Sequence, residues 1–203
     1  MNAKQKILVA ADELFGRIGF DSTTTREIAE RSGVNKALIH YHFKNKEALF
    51  TVLLDDYYER LTGILCQALA TEAPLEKKLY VMVDSYAEFL AENRNFGRIV
   101  QREAAGGAHV NRIHEHMEPL FQMGARLLKN AIPETKKGEL SAEHLMVSVY
   151  GMIISYFTYS DMVGRLTGSD PLSKRSLVER KKHVHRMVSI ILESISGTGP
   201  EAH

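Results

Sequence analysis

The chain is 203 residues long, with 26 Lys and Arg against 25 Asp and Glu, one cysteine, no tryptophan and an apolar fraction of 44%. This composition excludes the disordered and membrane-embedded classes, and the length allows one or two domains with a real core. One cysteine excludes an internal disulfide framework and a cysteine-based zinc cluster, and a net charge of +1 leaves no whole-chain electrostatic footprint for nucleic acid.

Taken in chain order, the apolar residues recur at helical spacing almost everywhere. Ile7, Ala11, Leu14, Phe15 and Ile18 make one stripe, closed by Gly19. The run Ile7 to Ala11 is too short for a signal peptide, and Asp12 and Glu13 follow at once. From Lys46 a long helix carries Phe50, Leu53, Leu54, Tyr57, Leu61, Ile64, Leu65 and Ala68, and it ends before Pro74. Further helices are expected over about Leu75 to Glu92, Phe96 to Ala105, Val110 to Ile132, Ser141 to Met162 and Ser173 to Ser196, with a frayed tail from Gly197. No period-two stretch is present, so the fold class is all-α with about nine helices. Leu145 to Tyr159 is the most apolar stretch. At fifteen residues it is short of the about 20 that a bilayer span requires, so a soluble, cytoplasmic protein is expected.

Residues 21 to 50 stand apart. Thr24-Thr25-Arg26-Glu27 has capping-box spacing, and the helix that follows ends at Ser32-Gly33, where glycine permits a sharp reversal. Asn35 then caps a second short helix over Lys36 to His42, and Asn45 caps the long helix. On the second short helix Ile39 and Phe43 are expected inward, leaving Lys36, Ala37, His40 and Tyr41 outward on an element slim enough for a major groove about 12 Å wide. Charge is local here: residues 22 to 46 hold five Lys or Arg and two Glu, a net +3 hidden in the neutral total.

The run from Thr23 to Phe50, with its gapless Tyr41-His42-Phe43-Lys44-Asn45-Lys46-Glu47 stretch, resembles the DNA-binding domain of the TetR family of transcriptional regulators. The resemblance implies a three-helix helix-turn-helix domain over residues 1–46 and a helical effector-binding and dimerisation domain over 47–203. It places Thr25 and Arg26 at the groove edge, Lys36 and Ala37 at base edges, and His40, Tyr41 and His42 along the phosphates. Lys46 would bind phosphate at the start of the long helix, where a helix N-terminus already favours an anion. His40 stands where the family commonly has Tyr, which would tie a phosphate contact there to pH. Each has a plainer reading: Tyr41 as domain packing, Lys44 as a solvated turn residue, His42 as a brace for the turn.

The remaining chain supplies material for an effector pocket between helices: Tyr86, Phe89, Phe96, Ile99, Met117, Phe121, Met123, Tyr150 and Met152, with Arg102, Glu103 and His116 as polar anchors. Singly, each apolar member reads equally well as core. The apolar helix through Val149, Ile153 and Phe157 and the stripe Val184, Met187, Val188, Ile191 and Ile195 read as a four-helix homodimer interface. Such a dimer would set its recognition helices about 34 Å apart on a palindromic operator. Neither His109, His114, His116 nor His183, His185 has the i, i+4 metal-ligand spacing, no catalytic motif occurs, and no cofactor or metal is implied. The reading is of a ligand-responsive DNA-binding repressor released by a small apolar or amphipathic effector. The alternative is a helical sensor or carrier of the same fold without specific DNA binding.

Overall fold

The computed structural model describes residues 1–195, so the expected helix end at Ser196 and the tail from Gly197 lie outside the described residues. Among these there are ten α-helices and no strand: α1 (Ala3–Ile18), α2 (Thr25–Ser32), α3 (Lys36–Phe43), α4 (Lys46–Leu69), α5 (Leu75–Glu92), α6 (Arg94–Ala104), α7 (Val110–Ala131), α8 (Ala142–Thr158), α9 (Ser160–Thr167) and α10 (Lys174–Ile195). The tenth helix arises because the segment expected as one element over Ser141 to Met162 breaks at Tyr159, whose φ of −100° and ψ of 29° leave the helical basin.

The helices fall into two compact units, residues 1–60 with 93–115 and residues 61–92 with the described residues from 116 onward. In the first unit α1 is the central element. It packs against α2, α3 and α6, and its stripe of Ile7, Ala11, Leu14 and Phe15 is buried, as are Ile28 of α2, Ile39 and Phe43 of α3, and Leu49 and Phe50 of α4. Phe15, Phe20 and Phe50 form a ring cluster with centroids 4.9–5.7 Å apart. Burying side chains of this size stabilises by about 1.5–3 kcal/mol each, which gives so small a unit its core.

α6 also belongs to this unit. Gly16 of α1 lets Asn95 approach so closely that a Cβ there would lie 2.6 Å from the Asn95 Cβ. Asn95 Nδ2 donates to Asp12 at 2.7 Å, and the Tyr57 hydroxyl donates to the same carboxylate at 2.6 Å. Burial, with the adjacent Asp12 charge, pushes the Tyr57 phenol well above its ordinary value, so it stays a donor.

In the second unit α5 packs against α8 and α10, and α8 against α10. A buried cluster of Ala125, Leu128, Ala142 and Leu145 is covered by Leu75, Leu79, Met146, Ile191 and Ile195. Gly124 makes room for Met146, whose Cε would lie 2.5 Å from any Cβ placed there.

Candidate nucleic-acid interface

The caps read from the sequence are all present. The Thr24 hydroxyl accepts from the Glu27 N–H at 3.2 Å, and the Thr24 N–H donates to the Glu27 carboxylate at 2.8 Å. These bonds from Thr24 hold the Glu27 carboxyl below its ordinary value. Gly33 closes α2 in the left-handed region, φ 67° and ψ 27°, where a side chain would be strained. Asn35 caps α3 at 2.9 Å and Asn45 caps α4 at 2.8 Å. Arg31 pairs with Glu13 at 2.7 Å and fixes α2 to α1.

This frame sets the face that α3 presents. Ile39 and Phe43 are buried, while Lys36, Ala37, His40 and Tyr41 are exposed. Tyr41 is 80% exposed, which removes the domain-packing reading for it. Arg26 is also exposed, its Nε 2.9 Å from Glu30, a bond that raises its pKa further. Thr25 and His42 are half-buried, His42 edge-on to the Tyr41 ring at 5.0 Å.

Two residues take roles that the sequence did not indicate. His40, rather than His42, braces the turn: its Nδ1 lies 2.8 Å from the carbonyl of Lys44, the one non-glycine with positive φ (65°) among the described residues. The ring thereby holds an otherwise costly backbone conformation. Lys46 is half-buried and points back into the domain. Its ammonium donates to the carbonyls of Phe20 and Thr23 at 2.8 and 2.9 Å and sits 4.1 Å over the Phe20 ring. Of three ammonium donors, one is left for an external acceptor.

Beside Lys46 lies a site that the sequence reading did not find. His109 is buried, with Nδ1 2.8 Å from Glu103 and Nε2 2.6 Å from Glu47, and its ring packs 4.3 Å from both Phe20 and Phe50. Both ring nitrogens face carboxyl oxygens, so the His109 ring ties α4's first turn to the end of α6. In the sequence His109 stands only among histidines whose spacing implies no metal site. Among the described residues no group of three His, Cys, Asp or Glu is arranged to hold a metal ion.

The expected effector residues divide between the units. Tyr86, Phe121 and Tyr150 come together in the second: Tyr86 stacks on Tyr150 at 6.0 Å and Phe121 lies edge-on to it at 5.3 Å. Phe89 is buried in α5, and His116 and Met117 are half-buried on α7. Phe96, Ile99, Arg102 and Glu103 have a different setting from the one expected, because α6 packs in the first unit. Phe96 fills the space beside Tyr57 and Tyr58 at 4.9 and 5.2 Å, and Ile99 is buried. The Arg102 guanidinium caps α1 by donating to the carbonyls of Phe15 and Arg17, and Glu103 holds His109.

The expected dimer stripe divides between residues buried in their own chain and residues half-buried on it. Ile153, Val184 and Val188 are buried by their own chain, Ile191 and Ile195 cover the internal cluster, and Val149, Phe157 and Met187 are half-buried. The large apolar side chains that stay exposed are Val147 on α8, Tyr159 at the break, Met162 and Leu166 on α9, and Val178 and Ile190 on α10.

An eight-residue helix presenting a lysine, an alanine and a tyrosine outward, set by a left-handed glycine after a capped partner helix, defines a helix-turn-helix DNA-binding protein. Comparison with known proteins narrows this. Residues 7–53 match the bacterial regulatory proteins of the tetR family, and residues 76–188 match the tetracyclin repressor-like C-terminal domain. The HTH-type transcriptional regulator YvkB of Bacillus subtilis is 32% identical over 175 residues, covering 84% of this chain and 89% of YvkB. QacR of Staphylococcus aureus is 49% identical over 55 residues, 27% of this chain and 29% of QacR. A TetR-like regulator from Rhodococcus sp. RHA1 superposes with a TM-score of 0.74 at 17% identity, covering 96% of both chains. The chain belongs to the TetR family and is a ligand-responsive, DNA-binding transcriptional regulator. Members of this family act as dimers, and no helix among the described residues is long and apolar enough to cross a membrane.

Proposed function

We propose that the protein is a cytoplasmic repressor that binds a palindromic operator as a homodimer and is released by a small apolar or amphipathic effector. The observation that carries this reading is the outward face of α3, where the side chains of Lys36, Ala37 and Tyr41 are exposed. Lys36 and Ala37 read base edges, with Thr25 and Arg26 at the groove edge. Arg26 leaves Glu30 to do so. His40, Tyr41, His42 and the remaining ammonium donor of Lys46 contact phosphates. Exposed Val147, Val178 and Ile190, continuing through Met162 and Leu166, supply the apolar surface for the second copy. The effector lies against Tyr86, Phe121 and Tyr150 and binds the DNA-incompetent state more tightly, without which it could shift no equilibrium.

In vitro selection from random duplexes, followed by titration of Lys36→Ala on the selected site and on random DNA, tests the reading. The variant should lose about 1–3 kcal/mol on the selected site and relax preference at one position of each half-site. Equal loss on both DNAs would end the base-reading role. If selection yielded no enriched site, a sensor without specific DNA binding would be the better description.

A further inference from the structure

Two fastenings join the start of α7 to α4 within the first unit, and they differ in chemistry. Arg112 grips Asp55, its Nη2 lying 2.7 and 2.8 Å from the two carboxylate oxygens and its Nε 3.0 Å from one of them, while Nη1 donates to Glu115. The bonds to Asp55 and then Glu115 raise the guanidinium further above its ordinary value, so this fastening does not titrate near neutral pH. The other fastening is His109, one residue ahead of α7, held between Glu47 of α4 and Glu103 of α6. Imidazole is the side chain that changes charge near neutral pH.

The two contacts of His109 fix a proton count. Nε2 lies 2.6 Å from Glu47 and Nδ1 2.8 Å from Glu103, and each contact is a hydrogen bond only with a proton between its two atoms. Closing both takes two protons among the three groups, wherever each proton is assigned. A neutral imidazole between two carboxylates holds one, and it then serves one side only. The sides are unequal. The Glu103 side chain is 9% exposed and accepts also from the His109 N–H at 3.1 Å, whereas that of Glu47 is 59% exposed and has water as a substitute. The single proton therefore stays on the Glu103 side, where a stranded carboxylate would be costly, and Glu47 is the side that lets go. The neighbouring cations of these elements are turned to partners of their own: Lys46 to the carbonyls of Phe20 and Thr23, Arg102 to those of Phe15 and Arg17, and Arg112 to Asp55 and Glu115.

The place of the yielding side gives it a consequence. α3 ends at Phe43 and α4 begins at Lys46, so Glu47 stands in the first turn after the DNA-facing helix. The His109 ring packs 4.3 Å from that of Phe20, whose ring and carbonyl seat the Lys46 ammonium. We propose that Glu47, His109 and Glu103 form a proton-dependent clasp on the first turn of α4. With two protons shared among them the clasp is shut. Loss of one releases Glu47, leaves Arg112–Asp55 as the fastening that remains of the two, and loosens the start of α4, so that affinity for DNA falls as pH rises. The clasp needs no effector, and only its effect on DNA rests on the reading of α3 proposed above.

The test uses the full chain and two substitutions at Glu47, followed between about pH 5.5 and 8.5. Glu47→Gln presents an amide that accepts from a protonated Nε2 and donates to an unprotonated one, so it holds the clasp shut at either proton count. Glu47→Ala leaves it open throughout. Hydrogen exchange of the first turn of α4 is compared between variants at each pH, which cancels the intrinsic rise of exchange with pH. Protection in the parent should match Glu47→Gln at the acid end and approach Glu47→Ala at the alkaline end. Affinity for the selected DNA site should fall at least about fivefold more in the parent than in Glu47→Gln, a difference from which the titration of His40 and His42 cancels. Parallel exchange profiles in the parent and Glu47→Gln overturn the clasp, as does Glu47→Gln tracking Glu47→Ala. Divergent exchange with parallel affinity profiles keeps the clasp and refutes its effect on DNA. Exchange needs no operator, so a chain that selected no specific site would still decide the clasp.

Discussion

Lys46→Met separates two roles that one side chain combines. The substitution keeps the aliphatic stem and removes the ammonium, which donates to the carbonyls of Phe20 and Thr23 at 2.8 and 2.9 Å and faces the Phe20 ring at 4.1 Å. Charge-assisted hydrogen bonds contribute about 1.5–3 kcal/mol each, but the residue is only half-buried and water can recapture the carbonyls, so about 1 kcal/mol apiece is expected. The cation–π contact adds about 0.5–1 kcal/mol. The sum, about 2–3 kcal/mol, is read as a lowered urea midpoint at unchanged m-value. Exposed Lys44→Met, the control, should stay within about 0.5 kcal/mol of the parent. On DNA, the proposed phosphate contact predicts weaker binding to all sequences and a salt slope shallower by about 0.9 per lost phosphate contact. An unchanged urea midpoint would refute the anchoring, and an unchanged slope with lowered stability would leave Lys46 a purely structural lysine.

Three further outcomes follow from the first unit. Gly16→Ala places a Cβ 2.6 Å from that of Asn95, which the Asp12 carboxylate holds, and should cost about 1–3 kcal/mol in chemical denaturation; a neutral result would show that α6 yields freely. His109→Phe leaves buried Glu103 with only the His109 backbone N–H among its described donors and removes the link to Glu47. About 3 kcal/mol of destabilisation is expected, and recovery on adding Glu103→Leu would attribute the loss to the stranded charge. The Glu27 carboxyl is depressed in the folded state, so its contribution is complete above the ordinary value of 4.5 and is lost as pH falls through the lower folded value. Glu27→Gln should therefore flatten the acid limb of the stability–pH curve, and an unaltered limb would remove the cap from that account.

The helix-turn-helix was legible because its determinants are local. Thr24 with Glu27, Asn35 with Ala37 and Gly33 with its αL conformation act within three residues of one another, so residue type and spacing suffice. The outward face of α3 followed from the same short-range periodicity. The setting of α6 did not, since its determinants join residues far apart: Asn95 to Asp12 across 83 positions and His109 to Glu47 across 62. Periodicity shows that a helix has an apolar stripe but not which neighbour covers it, and so Phe96 and Ile99 were read as pocket wall. Ile153, Val184 and Val188 were read as dimer surface for the same reason. Gly16, in the last turn of α1, was the one available signal, since a helical glycine marks close approach.

The first unit is assembled from two stretches of chain, 1–60 and 93–115, with α6 seated on α1 and Arg102 closing the carbonyl end of α1. The DNA reader is therefore not a detachable cassette. A fragment ended after residue 60 would strip Phe96 from beside Tyr57 and Tyr58, bare the notch at Gly16 and leave Asp12 without Asn95. Chimaeras that graft this operator specificity onto another sensor by a single junction near residue 46 would carry the contacts to DNA and lose half of what keeps them in place. A functional transplant needs the second stretch moved as well, or a recipient whose own helix offers a small residue's notch and an arginine at the matching positions.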